Sequence, residues 1–270
     1  MRKLTVAFVC ALAVLVSAAY AQDGVVYRVD PYEQVQFGLP EGTSSQNLIV
    51  RRVIYVLSNN PYTKFADWVG YKLDVNSVTG ASERDRNWKR DPDLPKEETL
   101  SPSDYDGAFN ALKMDRGHQA PLASFKGTPY WWLTNYLSNI TPQRMKLNRG
   151  PWAKLEHDVR SLAEREPVYV ITGTLYEREM PKLPNAKKDH QIPSGYWKII
   201  GVEDLDARPG QPPMRVAGYI FEQNATESNP MSQYLVTVDE IERRTGFNFY
   251  PDLPDDVEEL MESCNTLEVQ

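Results

Sequence analysis

The amino-acid sequence predicts one α+β domain, with helices layered on a central antiparallel sheet. The 270 residues, 41% hydrophobic and 25% charged, suffice for a single sizeable core. Segments rich in β-branched and aromatic residues recur between proline-rich loops, and three other segments carry helical patterning. No internal repeat, low-complexity tract or linker in the sequence divides them.

The N-terminal residues MRKLTVAFVCALAVLVSAAYAQ have the pattern of a secretory leader: Arg2 and Lys3, an apolar run from Leu4 to Ser17, then Ala19-Tyr20-Ala21 as a small-x-small cleavage site. This divides the chain into a signal peptide, 1–21, and a domain, 22–270. The run is short for a span of ~20 residues, and no later segment is apolar enough to substitute. A soluble protein is expected, secreted or periplasmic, without stable membrane association. Cys10 leaves with the leader and Cys264 remains alone, as a bystander or as one half of an intermolecular bridge.

Residues 48–57 (LIVRRVIYVL) and 64–73 (KFADWVGYKL) flank the turn-like SNNPYT and read as a hairpin. Further strands are expected at 168–173, 196–202 and 215–222, and helices at 151–165, at 237–245 and near 254–263. The first helix has the clearest start, since Gly150 and Pro151 suit the last non-helical and first helical positions. Trp152, Leu155, Val159, Leu162 and Ala163 then share one stripe. Glu156 borders it, four residues before Arg160, at the spacing of an ordinary surface ion pair.

Arg2 and Lys3 account for two positive charges of a chain with net charge −7, so the exported domain carries −9. That disfavours general adhesion to polyanions. Yet residues 113–160 hold eight basic groups (Lys113, Arg116, Lys126, Arg144, Lys146, Arg149, Lys154, Arg160) against three acids, a local +5. Such an island either focuses a phosphate-bearing substrate on one face or scatters over several.

Within it lie three motifs in succession: DRGHQAP from Asp115, NITPQ from Asn139, and LNRGPWAKLE from Leu147. The combination DRGHxAP, NxxPQ, LNxGxWxxLE resembles the DNA/RNA non-specific endonuclease family, nucleases with a ββα-metal active site. The likeness continues in RNWKRDP (86–92), LYERE (175–179), IPSGYWK (192–198), VTVDEIERRTG (236–246) and LPDD (253–256), and covers most of the chain from residue 48.

The resemblance implies a metal-dependent phosphodiester hydrolase with a ββα-metal motif inside its single domain. His118 would be the general base, because imidazole titrates near neutrality. Asn148 would bind the metal directly and Glu156 through water. On one continuous helix, eight residues rise ~12 Å, too far for both to grip one ion. So few protein ligands suit magnesium, with manganese or calcium as alternative occupants. Arg86 and Arg116 would offer forked donors to phosphate, and Asn139 would hold the site by hydrogen bonding. Gln143, Arg149 and Arg160 complete the expected substrate contacts, Arg160 also securing Glu156, whose carboxylate should be lowered in pKa beside these cations. Asn139-Ile140-Thr141 is also a glycosylation sequon, and a glycan there would obstruct the site.

The expected substrates are DNA and RNA, cut with little sequence preference to 5′-phosphate and 3′-hydroxyl ends. The alternative is a catalytically inactive nucleic-acid-binding protein of the same fold. Three departures stand out. Val35, Leu39 and Ser232 occupy positions where a secreted family member has disulfide cysteines, and Arg149 replaces the usual glutamine after the metal-binding asparagine. His190 falls in a region resembling a family dimer interface, and a homodimer is what the resemblance implies there.

Overall fold

The computed structural model describes residues 19–22, 25–28, 33–81 and 85–269. The apolar run of the leader lies outside them. The cleavage tripeptide falls in β1 (Ala19–Gln22), which pairs antiparallel with β2 (Val25–Arg28).

In chain order there follow β3 (Leu48–Arg51), β4 (Val56–Asn59), β5 (Ala66–Leu73), α1 (Val75–Val78), α2 (Ala108–Leu112), β6 (Met114–His118) and β7 (Ile140–Arg144). Then come α3 (Met145–Arg149), α4 (Pro151–Ala163), β8 (Val168–Leu175), β9 (Gly195–Glu203), β10 (Met214–Glu222), β11 (Leu235–Val236), α5 (Val238–Thr245) and α6 (Asp255–Glu262). Seven strands form one antiparallel sheet in the order β11-β10-β9-β8-β5-β4-β3, while β6 and β7 pair only with each other.

The expected hairpin at 48–73 is a three-stranded meander. The run LIVRRVIYVL breaks at Arg52, whose N–H donates to the Tyr55 carbonyl at 2.7 Å. Its guanidinium turns inward to ion pairs with Asp91 and Asp93. Val50 before this turn and Val56 and Leu57 after it are buried, while Leu48 and Ile49 at the sheet edge are exposed; composition alone disguised the whole run as one long strand.

Side chains alternate across each strand, and both faces of the sheet are covered. On one face Val168, Val170, Tyr196 and Ile200 pack with Trp152, Leu155, Val159 and Leu162 of α4. On the other, Ile171, Trp197 and Ile199 pack with Val238 and Ile241 of α5 and Met261 of α6. This explains why VYVITG and YWKIIGV read as continuous apolar runs rather than alternating ones. Trp152 alone, with no exposure, contributes roughly 1.5–3 kcal/mol or more by burial.

A third apolar cluster, including Phe65, Tyr105, Met114, Leu137 and Ile140, supports the β6–β7 hairpin. Three side chains tie its backbone down. Tyr105 Oη donates to the Ile140 carbonyl (3.0 Å), while Tyr196 Oη and Gln223 Nε2 both donate to that of Pro142 (2.9 Å each). No helix among the described residues is long and apolar enough to cross a membrane.

Candidate active site

The hairpin pairs Asp115 with Gln143, Gly117 with Thr141 and His118 with Ile140. A Cβ on Gly117 would lie 2.1 Å from Gln143 Oε1 and 2.5 Å from its Cδ, so glycine lets this amide lie flat against the strand. Gln143 is thereby wholly buried and cannot make the expected substrate contact.

After β7, α3 ends at Gly150 (φ −104°, ψ −116°), and Pro151 starts α4. Asn148 and Glu156 thus sit on two helices separated by a break, not on one as the sequence suggested. The break brings both to a cleft of about 1010 Å³, lined also by Arg86, Trp88, Asp115, Arg116, His118 and Arg149.

His118 Nε2 lies 3.3 Å from Asn135 Oδ1, whose own Nδ2 donates to the Asp85 carbonyl at 3.2 Å. That second bond fixes the amide orientation, so the imidazole donates from Nε2 and keeps Nδ1 as its acceptor. Trp88 lies against the ring, with centroids 5.2 Å apart. Burial pushes the imidazole down to about 4, with the Arg86 cation adding to it and the Asn135 bond opposing. His118 is therefore neutral at neutral pH.

Asn148 Nδ2 donates to Asp115 Oδ2 at 3.0 Å, which leaves the Asn148 carbonyl oxygen as the atom available for a cation. Arg149 grips the same carboxylate through Nε (2.8 Å) and Nη2 (2.7 Å). Its charge is thus neutralised by Asp115 and its fork is already filled. The donors at this end of the cleft are an amide carbonyl and the Glu156 carboxylate, hard oxygens that suit a divalent cation retaining several waters.

Around Glu156 the structure corrects two expectations. The Glu156–Arg160 ion pair does not form; on α4 the pair at that spacing is Lys154–Asp158 (2.5 Å). Burial raises the Glu156 pKa, outweighing the opposing Lys198, Arg160, Trp152 and Arg86. Lys198 is itself wholly buried, donates to Tyr71 Oη at 3.4 Å and lies 4.4 Å from the Trp152 ring centroid. Burial lowers this ammonium to about 8 against the attraction of Glu156.

Arg116 donates through Nη2 to the Pro102 carbonyl (2.9 Å), lies 3.6 Å from Asp106 and is flanked by Tyr105 and Trp88. Arg86 is exposed at the rim. Arg160 does not reach the cleft wall, so it influences Glu156 rather than substrate. Asn139, also wholly buried, donates to the carbonyls of Ala120 and Thr134 (2.9 Å each) and accepts from the Ala120 N–H (2.8 Å). It is a positioning residue that clamps the segment after His118. Both protons of its amide are engaged, so the folded sequon offers no site for a glycan.

The basic island disperses. Of its eight members only Arg116 and Arg149 line the cleft, and Lys154 pairs with Asp158. His190 is turned inward, its Nε2 accepting from the Leu183 N–H at 3.0 Å and its Nδ1 directed to the Lys188 carbonyl at 2.9 Å. Sequence reasoning missed Trp88, Asn135, the orienting role of Asp115, and Lys198. Only Lys198 carried a local signal, since strand alternation places it on the same face as Tyr196 and Ile200.

Comparison with known proteins agrees with this geometry. The family model described as DNA/RNA non-specific endonuclease matches residues 33–256. The chain is 47% identical over 256 residues to the protein named Nuclease of Serratia marcescens, covering 94% of this chain and 92% of that one. It is 31% identical to Nuclease C1 of Cunninghamella echinulata var. echinulata, with 85% and 91% covered. A chain in the crystal structure of the EndoG/EndoGI complex shares the fold, with a TM-score of 0.69 at 24% identity over 83% of this chain and 92% of that one. A family match of this extent and a relative so similar along nearly its whole length lead to one conclusion: the chain belongs to the DNA/RNA non-specific endonuclease family and is an endonuclease acting on nucleic acid.

Proposed function

We propose that this endonuclease depends on magnesium, hydrolyses DNA and RNA with little sequence preference, and leaves 5′-phosphate and 3′-hydroxyl ends. The observation that carries the reading is the orientation of His118, neutral and with Nδ1 unprotonated beside the cleft. A water oxygen attacks phosphorus while its proton passes to Nδ1. The bond from phosphorus to the 3′ oxygen breaks, its electron pair leaves with that oxygen, which takes a proton from solvent water to become the 3′ hydroxyl, and the phosphate stays on the 5′ side. Arg86 and Arg116 face the phosphoryl oxygens with charged donors.

Asn148, directly, and Glu156, through water, would hold the magnesium ion. When bound, it supplies Lewis-acid stabilisation of the phosphoryl and departing oxygens. Asp115 occupies the Asn148 NH₂ group, so that the carbonyl oxygen would be the atom offered to the cation. Contacts mainly to phosphate carry no base information, which accounts for weak sequence preference. The charged start, apolar run and small-x-small site at residues 1–21 support export by a cleaved signal peptide.

A plasmid-nicking assay tests the reading. Nicking and linearisation are expected with magnesium and neither in excess chelator. His118→Ala should lose ~10²–10⁴-fold in rate, the usual effect of removing a positioned base. Full activity in chelator, or near-normal turnover by His118→Ala, would overturn it.

A further inference from the structure

On the sheet face opposite α4, Asp239 and Glu242 of α5 and Glu262 at the end of α6 converge, each placing a carboxylate oxygen within 4.8 Å of the others. Glu262 is only 3% exposed, and its Oε1 is buried without a hydrogen-bond partner. Glu258 and Glu259 add negative charge nearby. The arginines of α5 do not neutralise it, since Arg243 pairs with Glu240 and Arg244 with Glu177. The available donors are neutral: the Phe249 N–H to Glu242 (2.8 Å), and the Asn248 amide, oriented with its NH₂ toward Glu258 (3.1 Å) and Glu242 (3.3 Å).

We propose that Asp239, Glu242 and Glu262 form a calcium site, distinct from the catalytic centre, that fastens α5 to α6. The cluster consists entirely of hard anionic oxygens. With their oxygens within 4.8 Å of one another, all three carboxylates can reach one ion at the about 2.3–2.6 Å of calcium. A cage of protein carboxylates suits calcium, whereas magnesium dehydrates reluctantly and is held mostly through one or two carboxylates and water. The buried Glu262 oxygen supplies the second indication, because an acceptor taken out of water without a partner is costly and a cation satisfies it.

The test uses the full chain carrying Asn148→Ala, which removes the direct ligand at the cleft, stripped with chelator and titrated with calcium chloride alone. At about ten times its dissociation constant, calcium should raise the melting temperature by about 3–6 °C. Calorimetry should show one ion bound. Glu242→Gln/Glu262→Gln, which mimics the protonated pair in shape, should fold, lose the shift, and retain normal nicking when built with Asn148 intact. No shift at about 10⁻² M calcium, above the range of weak extracellular modules, would overturn the proposal. So would a shift that survives in the double variant. Should that variant not fold, Asp239→Asn takes its place, and a shift of unchanged size in it would overturn the proposal equally.

Discussion

His118 and Asp115 show how single side chains set the chemistry. Asn135 holds one imidazole nitrogen, and burial with the nearby Arg86 disfavours the charged ring. In the metal-free protein, NMR should find His118 titrating near 4, far below its ordinary 6.5; titration near 6.5 would show that the ring is not so enclosed. The sign for stability follows. Protons favour the unfolded chain, so this contribution is intact above pH 6.5 and is lost as pH falls toward 4. Asp115 aims the Asn148 carbonyl and discharges Arg149 at once. Asp115→Ala should therefore weaken metal affinity by ~10–100-fold, the usual effect of losing a partner behind a ligand. Magnesium titration of the nicking rate measures this, and an unchanged half-saturation would refute the orienting role. Asp115 stood beside His118 in the sequence, but its partner lies 33 residues away, a distance that no local pattern bridges.

At the level of elements, the break between α3 and α4 positions the cation ligands. A Cβ on Gly150 would meet the Lys146 carbonyl oxygen at 2.4 Å and Glu227 Cγ at 2.9 Å. Gly150→Ala should cost ~1–3 kcal/mol, as overpacking does, and also raise the magnesium requirement because Asn148 and Glu156 shift relative to one another. Urea unfolding and metal titration check the two effects separately. The helix α4 was legible because its apolar stripe extends over three turns from a proline start, and the shorter α5 and α6 because acidic residues fill their first turns. The strands β8, β9 and β10 were legible because burial on both faces makes them continuously apolar. The β6–β7 hairpin was not legible from periodicity. MDRGH and ITPQR are five-residue mixtures of polar and apolar groups, and Tyr105, Tyr196 and Gln223 from distant segments secure them. Only the motifs' resemblance to a family announced it.

Across the whole molecule, the acidic balance and the dispersal of the basic island limit electrostatic attraction to what the cleft offers. Of the arginines that line it, Arg149 is neutralised by Asp115, and two phosphate contacts, from Arg86 and Arg116, give a log–log salt slope no steeper than about −1.8. Fluorescence anisotropy of uncleaved duplex with His118→Ala in chelator measures this slope. A value near that for eight contacts would restore the island as one binding face. Clustering along the chain overstated clustering in space because the basic residues are divided among two strands, two helices and the ends of two short helical turns. The separation of the β6–β7 pair from the seven-stranded sheet has an architectural consequence. Exchanging the hairpin would break no ladder of the main sheet, because side chains and not a shared strand fasten it there. The helix α4 that carries Glu156 is fastened differently, by Trp152, Leu155, Val159 and Leu162 on the face of that sheet. A foreign scaffold that received the reaction chemistry would therefore have to offer hydroxyl or amide donors to the carbonyls of Ile140 and Pro142 and an apolar face to α4, and the rest of the sheet is free to diverge.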